Sequence, residues 1–276
     1  MQENIDTKVV AGFGDEWSRF DQSDLDEAEL RKMFDNYFNI FPWNILPPDA
    51  RGFDLGCGSG RWAKQVAPRV GELHAIDPSE DALAVARRSM GGSDNCHFHL
   101  AGVENMPLED ESCDFGYSLG VLHHIPDTQA GINACVGKLK AGAPFLLYLY
   151  YRFDNRPWWF RLLWRASDIV RQFVSRLPNS LRYALSQLLA AVVYFPLART
   201  ALILEKFGIN VEAFPLSQYR HNSFYVMRND ALDRFGTRLE KRFTRDEIQH
   251  MMENAGLENI KFSDTSFWTA FGIKRI

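Results

Sequence analysis

Apolar and polar positions alternate in two different rhythms along this chain. Between Arg51 and Tyr151 short apolar runs recur: "RGFDLG", "ELHAID", "CHFHLA", "CDFGYSL" and the longer "APFLLYLYY". Stretches with helical spacing separate them, namely Arg61 to Ala67, "SEDALAVARRSM" and Thr128 to Leu139. Strands of this length alternating with helices predict parallel βαβ units and a sheet covered on both faces. Upstream, "SDLDEAELRKMFDNYF" (23–38) predicts a helix capped by Ser23, with Asp24, Asp26 and Glu27 at its positive end. Pro42, Pro47 and Pro48 end it.

The second rhythm begins near Asp154. From there to about Lys206 the strand pattern stops and a long helical pattern takes over. After Leu239 the first rhythm returns. "RFTRDEIQHMMENAG" predicts a helix with a capping box from Thr244 to Glu247, and Gly256 suits its end. "LENIKFSD" and "FWTAFGIKR" predict two closing strands. The expected fold is therefore α/β: a doubly wound, mostly parallel, seven-stranded sheet with a helical insertion after the fifth strand. Four segments follow: an N-terminal helical lid (1–49), an α/β core (50–153), the insertion (154–238), and a closing helix with strands (239–276).

Composition narrows the class. The chain has 276 residues, net charge -4 and 24% charged residues, a soluble globular balance without the basic footprint of a nucleic-acid binder. Its four cysteines, Cys57, Cys96, Cys113 and Cys135, form neither a CxxC pair nor a disulfide framework. They read as reduced thiols, and no metal site is expected. The opening "MQENIDTKVVAGFGDEW" lacks the basic start and apolar run of a secretory signal, so a cytoplasmic location is expected. "LLAAVVYFPLARTALIL" (188–204) is mostly apolar, but Pro196 and Arg199 interrupt it; it reads as a buried or surface-lying helix rather than a span.

Charge is unevenly spread. Arg156 to Leu204 holds seven arginines against one acid, Asp168, with Trp158, Trp159 and Trp164 among the first three arginines. Two functional readings compete with a plain solvated surface. One is a substrate lid, in which arginine clamps phosphate or carboxylate. The other is a helix lying on an anionic membrane, with a peripheral membrane contact.

Candidate chemistry concentrates in "FDLGCGSGRWA". Gly56, Gly58 and Gly60 follow a strand and precede helix-forming residues. Glycine permits positive φ and lets a ligand approach backbone N–H groups. The spacing is neither GxGxxG nor GxxxxGK[ST], which argues against a nicotinamide dehydrogenase and a P-loop. Asp54 stands two residues before the first glycine. Asp77 closes the next strand, where a carboxylate can accept both hydroxyls of a ribose.

With these residues, "FDLGCGSG", "AIDPS", "LAGVENMPLEDESCDFGYSLGVLHHIPD" and "LKAGAPFLL" come in the order found in the class I S-adenosylmethionine-dependent methyltransferases, which residues 50–150 resemble. "FTRDEIQHMMENAGLENIKF" resembles that family's closing segment. The resemblance implies a Rossmann-like methyltransferase fold and S-adenosylmethionine as cofactor. It implies Gly56, Gly58 and Gly60 at the methionine part, with Asp54 holding its amino group and Asp77 the ribose. Pro78 and Ser79 would border the adenine, Gly102, Val103 and Glu104 its other edge, and Leu119 and Gly120 the sulfonium end. Gly102 departs from the family, many of whose members carry an acid there.

His123 and His124 close the fourth strand and are candidate bases, although structural hydrogen bonding is the alternative. His221 is a further candidate. His74, His97, His99 and His250 read as structural. Trp17, in "FGDEWSRF", with Arg156, Trp158, Trp159 and Arg161 in the insertion, are the candidate substrate contacts. The expected reaction is O-methylation of a small acceptor that is anionic, sugar-linked or lipid-linked and bears phosphate or carboxylate. C- or O-methylation of an isoprenoid quinone at the membrane, and a catalytically silent cofactor-binding protein, are the rivals. No nucleic-acid partner is expected.

Overall fold

A computed structural model describes residues 4–153, 156–265 and 268–276. Asp154, the expected start of the insertion, and Phe267, at the start of the last predicted strand, lie outside the described residues. The chain forms two compact units. One holds the chain up to Gln22, Leu30–Arg152 and Leu239–Ile276; the other holds Ser23–Glu29 and Phe153–Arg238.

The first unit contains a seven-stranded sheet: β1 (Arg51–Leu55), β2 (Glu72–Asp77), β3 (Cys96–Leu100), β4 (Phe115–Leu119), β5 (Pro144–Tyr148), β6 (Leu257–Phe262) and β7 (Thr269–Lys274). Their order is β3-β2-β1-β4-β5-β7-β6. The first five pair in parallel, while β7 runs antiparallel to β5 and to β6. After β3 the chain crosses back to the far side of β1. The carboxyl ends of β1 and β4 therefore form the switch-point crevice where doubly wound sheets bind ligands.

Among the described residues the α-helices are, in order, α1 (Thr7–Arg19), α2 (Glu27–Phe38), α3 (Ala63–Val66), α4 (Glu80–Ser89), α5 (Thr128–Lys138), α6 (Trp158–Val174), α7 (Asn179–Leu189), α8 (Phe195–Lys206), α9 (Phe224–Gly236) and α10 (Arg245–Asn254). Ser79 caps α4 by accepting from Ala82 N, and Thr244 with Glu247 closes a capping box on α10. α2 starts later than predicted. Asp26, not Ser23, takes the capping position, its Oδ1 accepting from Ala28 N and Glu29 N. Either residue type caps a helix well, so the pattern alone did not choose. The helix after the glycine loop is also short: α3 is one turn, followed by a 3₁₀ turn at Ala67–Arg69.

Phe53, Leu55, Ile76, Leu122, Phe145 and Leu147 lie in a continuous core of this unit. Its β1–β4 seam has a reciprocal arrangement. Gly52 pairs with Phe115 and Phe53 pairs with Gly116, so each ring occupies the space a side chain would fill on the facing glycine.

The second unit is helical, with its own core of Val174, Ala190, Tyr194, Ala198, Met227, Ala231 and Phe235. Pro196 does not interrupt its long apolar stretch. A π-helical turn at Ala190–Tyr194 precedes the proline, and the helix runs continuously over Asn179–Lys206. Such wide turns accommodate a residue that lacks the N–H of the regular ladder. By length and composition this is the one helix among the described residues able to cross a membrane. One side of it, Ala190, Tyr194 and Ala198, sits in the core, while Leu181, Leu188, Val192 and Ile203 are exposed. Arg199 donates to the carbonyls of Arg220 and Asn222 at 2.7 and 3.0 Å.

Candidate active site

The glycine loop is left-handed at each of its three glycines, with φ of +78° at Gly56, +54° at Gly58 and +77° at Gly60. Any other residue would be strained there. The space of each missing Cβ is also taken: by Val121 at Gly56, the Trp17 indole at Gly58, and Ala86 at Gly60. The turn is fixed from outside as well. Gly56 N and Cys57 N donate to Ile76 O, and Gly58 N donates to Asp77 Oδ2 at 2.9 Å.

Two buried acids flank this loop. Asp77 Oδ1 accepts from Ser79 N at 2.9 Å, so each of its oxygens takes one backbone bond and retains a further lone pair. Burial pushes its carboxyl up to about 6, against the pull of the Ser79 and Gly58 N–H groups. Asp54, on β1, is more extreme. Burial raises it to about 8, the Tyr117 hydroxyl beside it pulls it back, Asp77 raises it and Arg61 lowers it. Asp54 Oδ2, Tyr117 Oη and Ser59 Oγ are buried without a hydrogen bond of normal geometry. Asp54 and Tyr117 are near partners of each other, and the buried Asp54 carboxyl with Ser59 Oγ offers polar atoms that a ligand could engage. A cationic amine satisfies Asp54 both as a charge and as a donor. Cys57 is no nucleophile: burial, then Asp77 and Asp54, hold its thiol well above its ordinary value.

The remaining predicted cofactor residues border the same strand ends. Pro78 and Ser79 join β2 to α4, and Gly102, Val103 and Glu104 follow β3. Gly102 N donates to Asn105 Oδ1 at 2.8 Å. Leu119 ends β4, and Gly120, at φ +80°, donates its N–H to Tyr148 O.

Helix α1 lies across these loops, which explains why its acidic "FGDEWSRF" stretch is ordered. Asn4 N donates to Glu104 Oε1 at 2.6 Å, and Asn4 and Asp127 exchange two bonds at 2.8 and 2.6 Å. Gly14 approaches Ser79 and Trp17 covers Gly58. The Arg61 guanidinium lies 5.3 Å from the Trp17 ring centre and 4.5 Å from that of Trp62. Phe13 meets the His124 ring at 5.0 Å.

His123 and His124 share an aromatic pocket with Tyr150. The His123 ring lies 3.9 Å from the rings of both His124 and Tyr150. His124 Nδ1 bonds Leu239 O at 2.6 Å, an anchoring role. Both His123 ring nitrogens are buried and have no hydrogen-bond partner among the described residues. Burial first, then His124 and Arg242, hold its pKa well below the ordinary value, so the ring is neutral and a weak base, with a nitrogen that can accept a hydrogen bond. Tyr150, Glu240 and Arg242 join this pocket with no sequence signal that points to them. Arg242 Nε donates to Glu240 Oε1 at 2.7 Å, and its guanidinium lies 5.0 Å from the Tyr150 ring centre. No spacing signal joins residues ninety positions apart.

His221 and the predicted insertion contacts belong to the second unit. His221 Nε2 pairs with Glu205 Oε2 at 2.9 Å on the surface. Arg156 donates to Glu212 O, and its guanidinium stands 5.6 Å from the Phe160 ring centre. Trp158, Trp159 and Arg161 are exposed on α6. Among the described residues no group of three or more histidines, cysteines or acids is arranged to hold a metal ion.

Residues 53–147 match the family described as methyltransferase domain. A ubiquinone biosynthesis O-methyltransferase of Xanthomonas campestris pv. campestris is 32% identical over 105 residues, 37% of this chain and 44% of that protein. The chain thus spans less than half the length of that relative. A SAM-dependent methyltransferase from Thermotoga maritima superposes with a TM-score of 0.51 at 17% identity, covering 95% of this chain and 100% of the other. Human N-acetylserotonin methyltransferase, solved in complex with SAM, gives 0.54 at 14% identity, covering 95% and 57%. At these identities the two structures establish the fold alone.

Proposed function

We propose that this chain, which carries a class I S-adenosylmethionine-dependent methyltransferase domain at residues 53–147, transfers a methyl group from S-adenosylmethionine to an oxygen of a small acceptor. The observation that carries this reading is the pair of buried acids around the left-handed glycine loop. Asp54 is a buried carboxyl, beside Tyr117, that the amine of a methionine moiety would satisfy as a charge, and Asp77 has lone pairs left for ribose hydroxyls. Pro78, Ser79, Gly102, Val103 and Glu104 border the adenine, and Leu119 and Gly120 the sulfonium end.

Bound there, the cofactor supplies a methyl group already activated by its sulfonium. The protein's task is alignment and exclusion of water. Trp17 and Phe13 on α1 close the cofactor side. His123, neutral and with no hydrogen-bond partner among the described residues, accepts a hydrogen bond from an acceptor hydroxyl and so orients its oxygen for transfer.

Titration with S-adenosylmethionine and with its demethylated product tests the reading. Micromolar binding of both is expected, and binding of neither would end it. Binding without turnover of any acceptor would favour a silent cofactor-binding protein.

The acceptor is carried on, or partitions into, lipid. An isoprenoid quinone is the specific form favoured by the matched quinone-pathway relative. A lipid-linked sugar bearing phosphate is the alternative, favoured by the arginines of residues 156–204. Assay of a quinone precursor against a polyprenyl-phosphate sugar separates the two.

A further inference from the structure

Helix α6 has two apolar faces, and only one is used. On the inner face, Phe160 and Trp164 meet the Phe153 ring at 5.3 and 5.7 Å, and Val174 enters the core of the second unit. Buried Arg171 on that face is held by Asp168 at 2.7 Å and by Thr237 O at 2.9 Å. The opposite face presents Trp158, Leu162, Leu163, Ile169, Val170 and Phe173 to solvent, with Trp158, Ile169 and Phe173 about seventy per cent exposed (71%, 70% and 67%). At 100° per residue these positions form one continuous stripe. Along one edge of it stand Arg161 and Arg165, and Arg176 follows just past the helix end, all exposed. Arg161 and Arg165 have no hydrogen bond or ion pair among the described residues. No acid lies on the stripe, because Asp168 faces inward to Arg171 and Arg234.

We propose that this face of α6 docks on the surface of an anionic lipid bilayer, the helix lying in the plane of the interface. A contiguous apolar patch of this extent is unusual on a soluble surface and marks an interaction site. The edge arginines choose the occupant. They sit where the headgroups of anionic lipids would meet them, while the apolar stripe enters the acyl boundary. Trp158 and Trp159, at the start of the helix, are of the type that prefers that boundary. The 17-residue helix is about 25 Å long, enough for a flat interfacial contact. The continuous helix over Asn179–Lys206 adds exposed Leu181, Leu188, Val192, Phe195 and Ile203 to the same unit. The surface rests on its own geometry, and it serves the lipid-borne acceptor proposed above.

Co-sedimentation of the full chain with vesicles tests this, using phosphatidylcholine with and without phosphatidylglycerol. Binding is expected, and stronger with phosphatidylglycerol. The triple substitution Leu162→Ser, Ile169→Ser, Phe173→Ser should abolish it. Arg165→Gln with Arg176→Gln should weaken binding to the anionic vesicles by roughly 30-fold, the effect of two surface arginines. Thermal melting should show both variants folded, since every changed side chain is exposed. Titration with the demethylated cofactor should give the same affinity for wild type and variants, a readout independent of lipid. Absence of sedimentation with either vesicle, or undiminished sedimentation of the triple variant, overturns the proposal. So does a dimer in light scattering that the triple substitution disperses, because a second copy would then cover this face.

Discussion

Gly58 N–H donates to Asp77 Oδ2 at 2.9 Å, tying the middle of the glycine loop to the end of the second strand. One bond therefore sets both the shape of the loop and the direction of the carboxylate. Ser79 N holds the other oxygen at 2.9 Å. The carboxylate is positioned before any ligand arrives, which lowers the cost of binding.

Asp77→Ala should cut affinity for the demethylated cofactor by about 100-fold or more, from two lost charge-assisted hydrogen bonds. Asp77→Asn keeps a partner for the hydroxyls and should lose less. Isothermal titration of both variants measures this, and unchanged affinity in the alanine variant would remove Asp77 from the ribose.

Asp54 links stability to pH in the opposite sense from a salt-bridged acid. Its carboxyl is raised from 3.8 to about 8 in the folded chain. Between those values the folded state holds a proton that the unfolded state releases, so stability falls as pH rises from about 4 to about 8. Asp54→Asn should therefore stabilise the unliganded protein at pH 8, by on the order of 2–4 kcal/mol, and change little at pH 4. Cofactor binding should release a proton near pH 7, as the cofactor's amine restores the Asp54 charge. Melting at the two pH values, and binding heats in buffers of different ionisation enthalpy, check these outcomes. Equal melting at both would place the raised value elsewhere.

His123 is already neutral across the working range, because burial holds it well below its ordinary value. The turnover rate should stay flat through pH 6.5 instead of falling with a histidine limb. His123→Ala should lower kcat about 100-fold by loss of alignment and leave cofactor affinity unchanged. A limb near 6.5 that vanishes in this variant would mean that the ring is solvated and titrates normally during turnover.

The parallel part of the sheet was legible because its strands are short, apolar and separated by helices of regular period. Ser79 and the Thr244–Glu247 box were legible because capping is local. The insertion's arginines were not. In sequence the seven look alike, yet Arg171, Arg182 and Arg199 bond backbone carbonyls inside the second unit. Among the described residues Arg161 and Arg165 have no hydrogen bond or ion pair. Only burial separates a structural arginine from an available one, and burial is decided by tertiary packing. The Tyr150–Arg242–Glu240 group escaped for the same reason, being assembled from β5's exit and the segment before α10. The run over 188–204 is helical as its pattern predicts, and the π-helical turn before Pro196, which carries the helix through, is a tertiary feature with no local sequence signal.

Two glycines outside the ligand loop give the sharpest stability test. A Cβ on Gly52 would stand 2.2 Å from a Phe115 ring carbon, and one on Gly116 would stand 2.3 Å from a Phe53 ring carbon. Neither backbone is left-handed, so the glycines are there for space and not for φ. Both rings are fully buried in the β1–β4 seam and have no room to retreat. Gly116→Ala should therefore destabilise by about 1–3 kcal/mol through overpacking, in contrast to the gain a glycine-to-alanine change gives where the space is open. Pairing it with Phe53→Leu should recover part of the loss, because the two changes act on one contact and are not additive. Denaturant midpoints for the single and double variants decide it. A Gly116→Ala variant as stable as wild type would mean that the Phe53 ring is free to move aside.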